Sequence, residues 1–337
     1  MKNTKIVLAK RPIGLPKLND FQILENDIDV VKENQVSVNT MYLSLDPYMR
    51  GRMTARKSYA KNLEIGEVMT GEIVGIVNES KAKNFPEGSI VLSKAGWQSN
   101  PVINEDQLSL VDSRIDPVSL ALGSLGMPGL TAYFGLTKLG NPKSGETVVV
   151  SAGSGAVGAT VGQIAKSMGC KVIGIAGSNE KINYMTENLG FDEAINYKES
   201  DWIKKFKRSC DQGVDIYFDN VGGLISDCVI EEINDFARVI VCGQISQYNN
   251  SEPELGPRNM HHFLIKQAKL EGFIVFRWED QYKDGLESLI DLKKRGYLKY
   301  KETIVEGIEK APETFLKLFS GENLGKLLIK VNYINMA

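Results

Sequence analysis

The hydrophobic pattern changes texture near residue 122. Before it, short apolar runs at 68–77 and 89–93 are punctuated by Gly66, Gly71, Gly75 and Gly88, and helical spacing is scarce. That pattern predicts a partly open all-β unit. From Gly123 onward, strand-length apolar runs alternate with stretches of helical periodicity. Strands are expected at 147–151, 171–176, 193–197, 214–218, 237–242 and 270–275, and helices at 156–168, 179–189, 224–233 and 282–294. The run Thr147-Val148-Val149-Val150-Ser151 is apolar on both faces, as in a buried parallel strand. Alternation of this kind predicts a doubly wound α/β domain. Beyond residue 310 a helix and a strand at 327–331 either extend that sheet or return to the first unit; periodicity leaves both open.

Composition narrows the function classes. A length of 337 residues suits two domains at about 150 residues each. A hydrophobic content of 42% fills ordinary cores and excludes a disordered chain. Lys and Arg total 40 against 42 acids, a net charge of -2, which argues against nucleic acid and against an anionic membrane surface as partners. Met1-Lys2-Asn3-Thr4-Lys5 is followed by no apolar signal region, and every apolar run is far shorter than the ~20 residues of a spanning helix. The expected setting is cytoplasmic. Cys170, Cys210, Cys228 and Cys242 form no C-x-x-C pair and read as reduced, mostly buried apolar filler.

The sharpest local signal is Ser151-Ala152-Gly153-Ser154-Gly155-Ala156-Val157-Gly158, where an expected strand runs through G-x-G-x-x-G into an expected helix. A tight turn, a backbone that touches pyrophosphate and a close helix–strand approach each exclude a Cβ. The helix start adds unpaired N–H groups and a partial positive charge. With a second strand following one helix later, a dinucleotide site outweighs an ordinary turn. At the end of that second strand an NAD site normally places an acid on the ribose hydroxyls. Here the tip reads Ala176-Gly177-Ser178-Asn179-Glu180-Lys181. No acid sits at the tip itself, Ser178 is small, and Lys181 lies one turn into the next helix. That arrangement favours the 2′-phosphate of NADPH over NADH; the competing reading of Lys181 is a solvated helix lysine.

These residues resemble the medium-chain dehydrogenase/reductase superfamily. Leu45-Asp46-Pro47-Tyr48-Met49-Arg50, Gly126-Met127-Pro128-Gly129-Leu130-Thr131-Ala132-Tyr133, Phe218-Asp219-Asn220-Val221-Gly222-Gly223, Cys242-Gly243-Gln244-Ile245-Ser246 and Gly321-Glu322-Asn323-Leu324-Gly325-Lys326 narrow the likeness. Together they resemble its zinc-independent leukotriene B4 dehydrogenase, prostaglandin reductase and alkenal double-bond reductase branch, over essentially the full length. The resemblance implies a GroES-like partly open β-barrel domain, 1–122 plus 307–337, and a Rossmann domain, 123–306, with the cofactor in the cleft between them and a homodimer as the assembly. It implies that Gly155, Ala156, Val157 and Gly158 form the pyrophosphate turn and that Lys181 and Tyr197 face the 2′-phosphate. It places Asn220, the loop carrying Cys242, Gly243, Ile245, Ser246 and Tyr248, the segment Phe273, Ile274 and Val275, and Asn323 around the cofactor, the last three groups at its nicotinamide half.

Related alcohol dehydrogenases use zinc, held by converging Cys, His and acidic ligands. The first 122 residues contain neither Cys nor His, and Leu45-Asp46-Pro47-Tyr48 stands where a zinc enzyme carries a ligand cysteine. His261 and His262 are neighbours and are expected to splay apart on a helix. No metal site is expected. The family reaction reduces the C=C bond of an α,β-unsaturated aldehyde or ketone, hydride going to the β-carbon, and the resulting enolate oxygen needs a donor. Some members carry a tyrosine where this chain has Ile265, which cannot donate. Tyr48 is therefore the candidate donor, and a packed aromatic is its other reading. Asp46 reads as a turn residue before Pro47; Arg50 and Arg52 either line the cleft or face water. The alternatives to an enone reductase are a quinone reductase of the same superfamily and a non-catalytic NADPH-binding sensor.

Overall fold

The computed structural model describes residues 2–332, and within them the chain divides into two compact units. One holds the residues up to Leu122 together with Glu302–Asn323 and those from Leu327 on; the other holds Gly123–Lys301 and Leu324–Lys326.

The first unit carries β1 (Lys2–Leu8), β2 (Phe21–Asp27), β3 (Gln35–Ser44), a single helical turn α1 (Met49–Arg52), β4 (Ile73–Ser80), β5 (Ile90–Ser93), β6 (Val102–Asn104) and β7 (Leu108–Leu110). Strands β1 and β2 pair antiparallel by themselves. Long β3 is the hub of the larger sheet and pairs antiparallel with both β4 and β6. Val36, Val38, Leu43 and Ile73 are fully buried beneath it.

The second unit begins with α2 (Met127–Phe134) and then alternates. Its strands are β8 (Thr147–Ser151), β9 (Lys171–Ala176), β10 (Glu193–Asn196), β11 (Val214–Asp219), β12 (Ile233–Val241) and β13 (Lys269–Gly272). Its further helices are α3 (Ala156–Ser167), α4 (Asn179–Asn183), α5 (Trp202–Ser209), α6 (Gly223–Glu231), α7 (Met260–Ile265) and α8 (Tyr282–Lys294). All neighbouring strands are parallel, in the order β10-β9-β8-β11-β12-β13. Counted from β8 the chain winds outward one way and then the other, and the reversal lies between β8 and β11, where open α/β sheets bind ligands.

The chain then supplies β14 (Glu302–Glu306), α9 (Ala311–Ser320) and β15 (Lys326–Lys330). Strand β15 pairs antiparallel with β3, and β14 lies outside β15, completing the order β14-β15-β3-β4-β5-β7. Phe315 of α9 is fully buried, its ring 5.6 Å from Trp97 and 6.3 Å from Phe21. The fold is thus a GroES-like β domain and a Rossmann domain, as the sequence implied.

Three local expectations need correcting. The strand expected to reach residue 275 stops at Gly272, and Val275–Gln281 forms two tight helical turns separated by a kink at buried Trp278. Helices α2 and α5 were not foreseen. Pro128 sits in the first turn of α2, where a proline gives up no needed N–H; half of α5 is charged, and it buries only Trp202, Phe206 and Ser209.

Candidate functional site

The glycine turn sits where β8 ends. Gly155 caps α3 and has no side chain to satisfy the first-turn N–H groups. A Cβ on Gly158 would lie 2.3 Å from the carbonyl oxygen of Ala152, and one on Gly153 would lie 2.7 Å from the sulfur of Met185. Only bare backbone lets the turn close. Ala152 itself adopts φ 51°, a left-handed conformation costly for a residue with a side chain. The turn has a second wall that the sequence did not suggest. Gly325 donates its N–H to Ser154 O at 3.1 Å and runs parallel to Gly155. Gly325 has φ 70°, and a Cβ there would meet Lys301 O at 2.0 Å, so glycine is required. Asn323 lies two residues before Gly325 in the sequence.

The tip of β9 is basic. Ser178 caps α4 by accepting the N–H of Lys181 at 3.4 Å. The Tyr197 ring lies over Gly177, whose Cβ would stand 3.0 Å from the ring and from its hydroxyl. Burial, and secondly the charge of Lys198, hold the Lys181 ammonium below the ordinary lysine range, with Glu180 opposing. Two lysines and a half-exposed tyrosine therefore share one corner. Lys198 was missed by sequence reasoning; its signal was its place directly after Tyr197 at the end of β10.

The loops after β11 and β12 are joined through Asp219, Asn220 and Val221. The N–H groups of Cys242 and Gly243 both donate to Asp219 O, at 2.8 and 3.1 Å. Ile245 donates its N–H to Asn220 O at 3.4 Å, and Ser246 Oγ donates to Val221 O at 2.6 Å. The Tyr248 hydroxyl accepts the N–H of Gln244 at 3.3 Å and lies close over Gly243. Asn220 spends its side-chain amide on Ser151 O, 2.8 Å away, which binds this loop to the end of β8. The Phe273 ring is buried against Phe218 and Trp278, and Val275 is buried too, so those two present backbone rather than side chains; Ile274 is partly exposed.

Tyr48 lies in the first unit, at the start of α1, with part of its ring against the β-domain core. Burial raises its hydroxyl pKa well above the phenolic range; Asp46, Glu72 and Tyr59 add to this and Arg52 opposes it. The group is a neutral donor. Asp46 forms a turn, accepting from Ser44 Oγ and receiving the N–H of Met49 on its carbonyl. Arg50 does not face water: it is buried and donates to Gly14 O at 2.8 Å, tying the 9–20 loop to α1.

The residues do not fit zinc. Among the described residues no three of His, Cys, Asp and Glu converge for a metal. Burial pushes the Cys170 thiol up to about 11 and those of Cys210 and Cys242 to about 12, the opposite of a ligand thiolate. The histidine rings are not splayed as expected; their centroids lie 3.8 Å apart on α7, with the ring planes tilted by 40°. Among the described residues no helix is long and apolar enough to cross a membrane.

A GroES-like β domain followed by a Rossmann domain with a bare glycine turn defines a medium-chain oxidoreductase. Comparison with known proteins agrees: residues 4–111 match the family described as the N-terminal domain of oxidoreductase, and residues 156–291 match the family described as zinc-binding dehydrogenase. The NADPH-dependent curcumin reductase of Escherichia coli is 42% identical over 335 residues, covering 98% of this chain and 97% of the relative. The 2-alkenal reductase (NADP(+)-dependent) of Nicotiana tabacum is 42% identical over 338 residues, covering 98% of each. The crystal structure of CurA in complex with NADPH from Vibrio vulnificus superimposes with a TM-score of 0.95 at 41% identity, covering 98% of this chain and 100% of that one. The chain belongs to the zinc-independent alkenal and prostaglandin reductase family of the medium-chain dehydrogenases/reductases.

Proposed function

We propose that the protein is an NADPH-dependent reductase of the carbon–carbon double bond of α,β-unsaturated aldehydes and ketones. The observation that carries the cofactor assignment is the acid-free tip of β9, where Lys181 and Lys198 share one corner. The substrate class is supported by relatives of 42% identity named as curcumin and 2-alkenal reductases. In this reading Gly155, Ala156, Val157 and Gly158 offer N–H groups to the pyrophosphate. Ser178, Lys181 and Tyr197 hold the 2′-phosphate and adenosine. The Asn220 loop touches the cofactor, and the Cys242–Tyr248 loop, the backbone of Phe273 to Val275, and Asn323 hold the nicotinamide half.

When bound, NADPH supplies the hydride that adds to the β-carbon of the substrate. The chain's own task is to meet the negative charge that then grows on the carbonyl oxygen. Tyr48, kept protonated by burial and by neighbouring acids, donates to that oxygen. Ile265, 63% exposed, has no donor to offer. The first unit is then the substrate domain and the second the cofactor domain; a homodimer and a cytoplasmic setting belong to the same proposal. The test is NADPH consumption with a linear 2-alkenal, a cyclic enone and a quinone, with product analysis. Saturated aldehyde or ketone, its α-carbon having taken a proton from a tyrosine or water, is the expected product. Fast quinone reduction without enone turnover would make it a quinone reductase, and tight binding with no turnover a sensor.

A further inference from the structure

Asp219 is the most heavily satisfied acid of the second unit, and the mechanism above does not use it. It is 3% exposed, at the end of β11. Its Oδ1 accepts Ser151 Oγ at 3.1 Å, the Tyr217 hydroxyl at 2.8 Å, and the N–H groups of Val221 and Gly222 at 2.9 Å each. Its Oδ2 accepts Ser226 Oγ at 2.6 Å. All five partners are neutral donors, and among the described residues no lysine or arginine pairs with it. Neutral donors stabilise this carboxylate without cancelling its net charge, and in a low-dielectric interior that charge acts on its surroundings.

The contacts span the ligand face of the sheet. Ser151 is the last residue before the glycine turn, and it also receives the N–H of Asn220 on Oγ at 2.8 Å. Val221 and Gly222 form the loop into α6, and Ser226 lies in its second turn. The main-chain oxygen of Asp219 holds Cys242 and Gly243. Its charge is felt there, adding to the burial that raises the Cys242 thiol.

We propose that Asp219 is a positioning residue that locks the glycine turn to the loops after β11 and β12, and that its charge makes the site favour the oxidised cofactor, whose nicotinamide ring is cationic, over the reduced one. This rests on the assignment of the Cys242–Tyr248 loop to the nicotinamide half. A residue acting by shape alone alters both affinities together, whereas a charge alters their ratio.

The experiment measures dissociation constants of the purified protein for NADP+ by calorimetry and for NADPH by fluorescence. Asp219→Asn is expected to raise the ratio of the NADP+ constant to the NADPH constant at least threefold. Ser226→Ala, which strips a compensating dipole from the same carboxylate, is expected to lower that ratio while weakening both forms. An unchanged ratio in Asp219→Asn overturns the proposal; if that variant does not fold, an unchanged or raised ratio in Ser226→Ala does so instead. Failure of wild-type protein to bind either nucleotide would count against the cofactor reading itself, a separate outcome.

Discussion

Lys181 and Lys198 invite a paired test, because the charge of Lys198 lowers the Lys181 pKa. An ammonium hydrogen-bonded to a phosphate is worth about 1.5–3 kcal/mol. Lys181→Ala is therefore expected to weaken NADPH by tenfold or more and leave NADH unchanged; Lys198→Ala, one charge further out, is expected to cost about threefold, in line with a more exposed pair. The pH dependence separates them further. Burial and Lys198 lower the Lys181 pKa, so its proton is lost at a lower pH than from a free lysine. NADPH affinity should fall on the alkaline side before an ordinary lysine would titrate, and removing Lys198 should move that fall to higher pH. Titrations across the alkaline range for both variants decide it. At Tyr48 the sign is reversed. A raised pKa keeps the hydroxyl protonated past the usual phenolic value, so kcat should stay level through about pH 10 instead of dropping there. Tyr48→Phe should lower kcat by about 100-fold or more, the cost of losing an oxyanion donor, with NADPH affinity unchanged. Wild-type turnover in that variant would return Tyr48 to a packing role.

Elements differed sharply in how visible they were from sequence. Strand β8 and helix α8 have the bounds expected for them, because an unbroken apolar run and a sustained helical period have few other solutions. Helix α2 hid behind Pro128 and Gly129, and α5 behind its lysines, since burial of two aromatics per two turns is a weak signal. Strand β12 starts at Ile233, earlier than expected, because a β-bulge opposite Val214 to Ile216 absorbs the polar Asn234 and Asp235. At the site, the glycine turn and Lys181 were readable locally. Lys198 and Gly325 were not, because their partners are 17 and 171 residues away, and nor was the link from Asp219 to Ser151, 68 residues away; no local pattern records such distances. Glycine conveys packing as well as turn chemistry. Gly153, Gly162 and Gly174 surround Phe191 and Met185, and a Cβ on Gly162 would fall 2.0 Å from Phe191 Cζ. Gly162→Ala is expected to destabilise the second unit by about 1–3 kcal/mol through overpacking. Adding Phe191→Leu should recover part of that loss. Denaturant titrations of the two single variants and the double variant measure the coupling, and additive losses would show that the collision is relieved elsewhere.

For the molecule as a whole, the consequence of this topology is a β domain that is incomplete until the chain comes back. Residues 2–122 leave β3 with an open edge, and β15 closes it through Leu328, Ile329 and Lys330 opposite Ser44, Leu43 and Tyr42. The sequence reading placed the return at 307, yet β14 already joins that sheet from Glu302, since an exposed edge strand carries little apolar periodicity. The returning helix matters as much as the strand. Phe315 closes an aromatic cluster with Phe21 and Trp97, and Phe319 packs on it edge-on at 5.2 Å. Removing a fully buried phenyl ring costs about 3–5 kcal/mol. Phe315→Ala should therefore unfold the first unit at lower temperature. The second unit draws its core from Val149, Ile173, Tyr217 and Val229 and should keep its own transition. The two transitions can be assigned by dye-free calorimetry alongside near-ultraviolet signals, because Trp97 reports on the first unit and Trp202 and Trp278 on the second. NADPH should still raise the later transition in the variant, since binding to the folded form alone stabilises it. A single transition, lowered as a whole and still moved by NADPH, would mean instead that the two units unfold as one cooperative body and that the tail helix sets the stability of both.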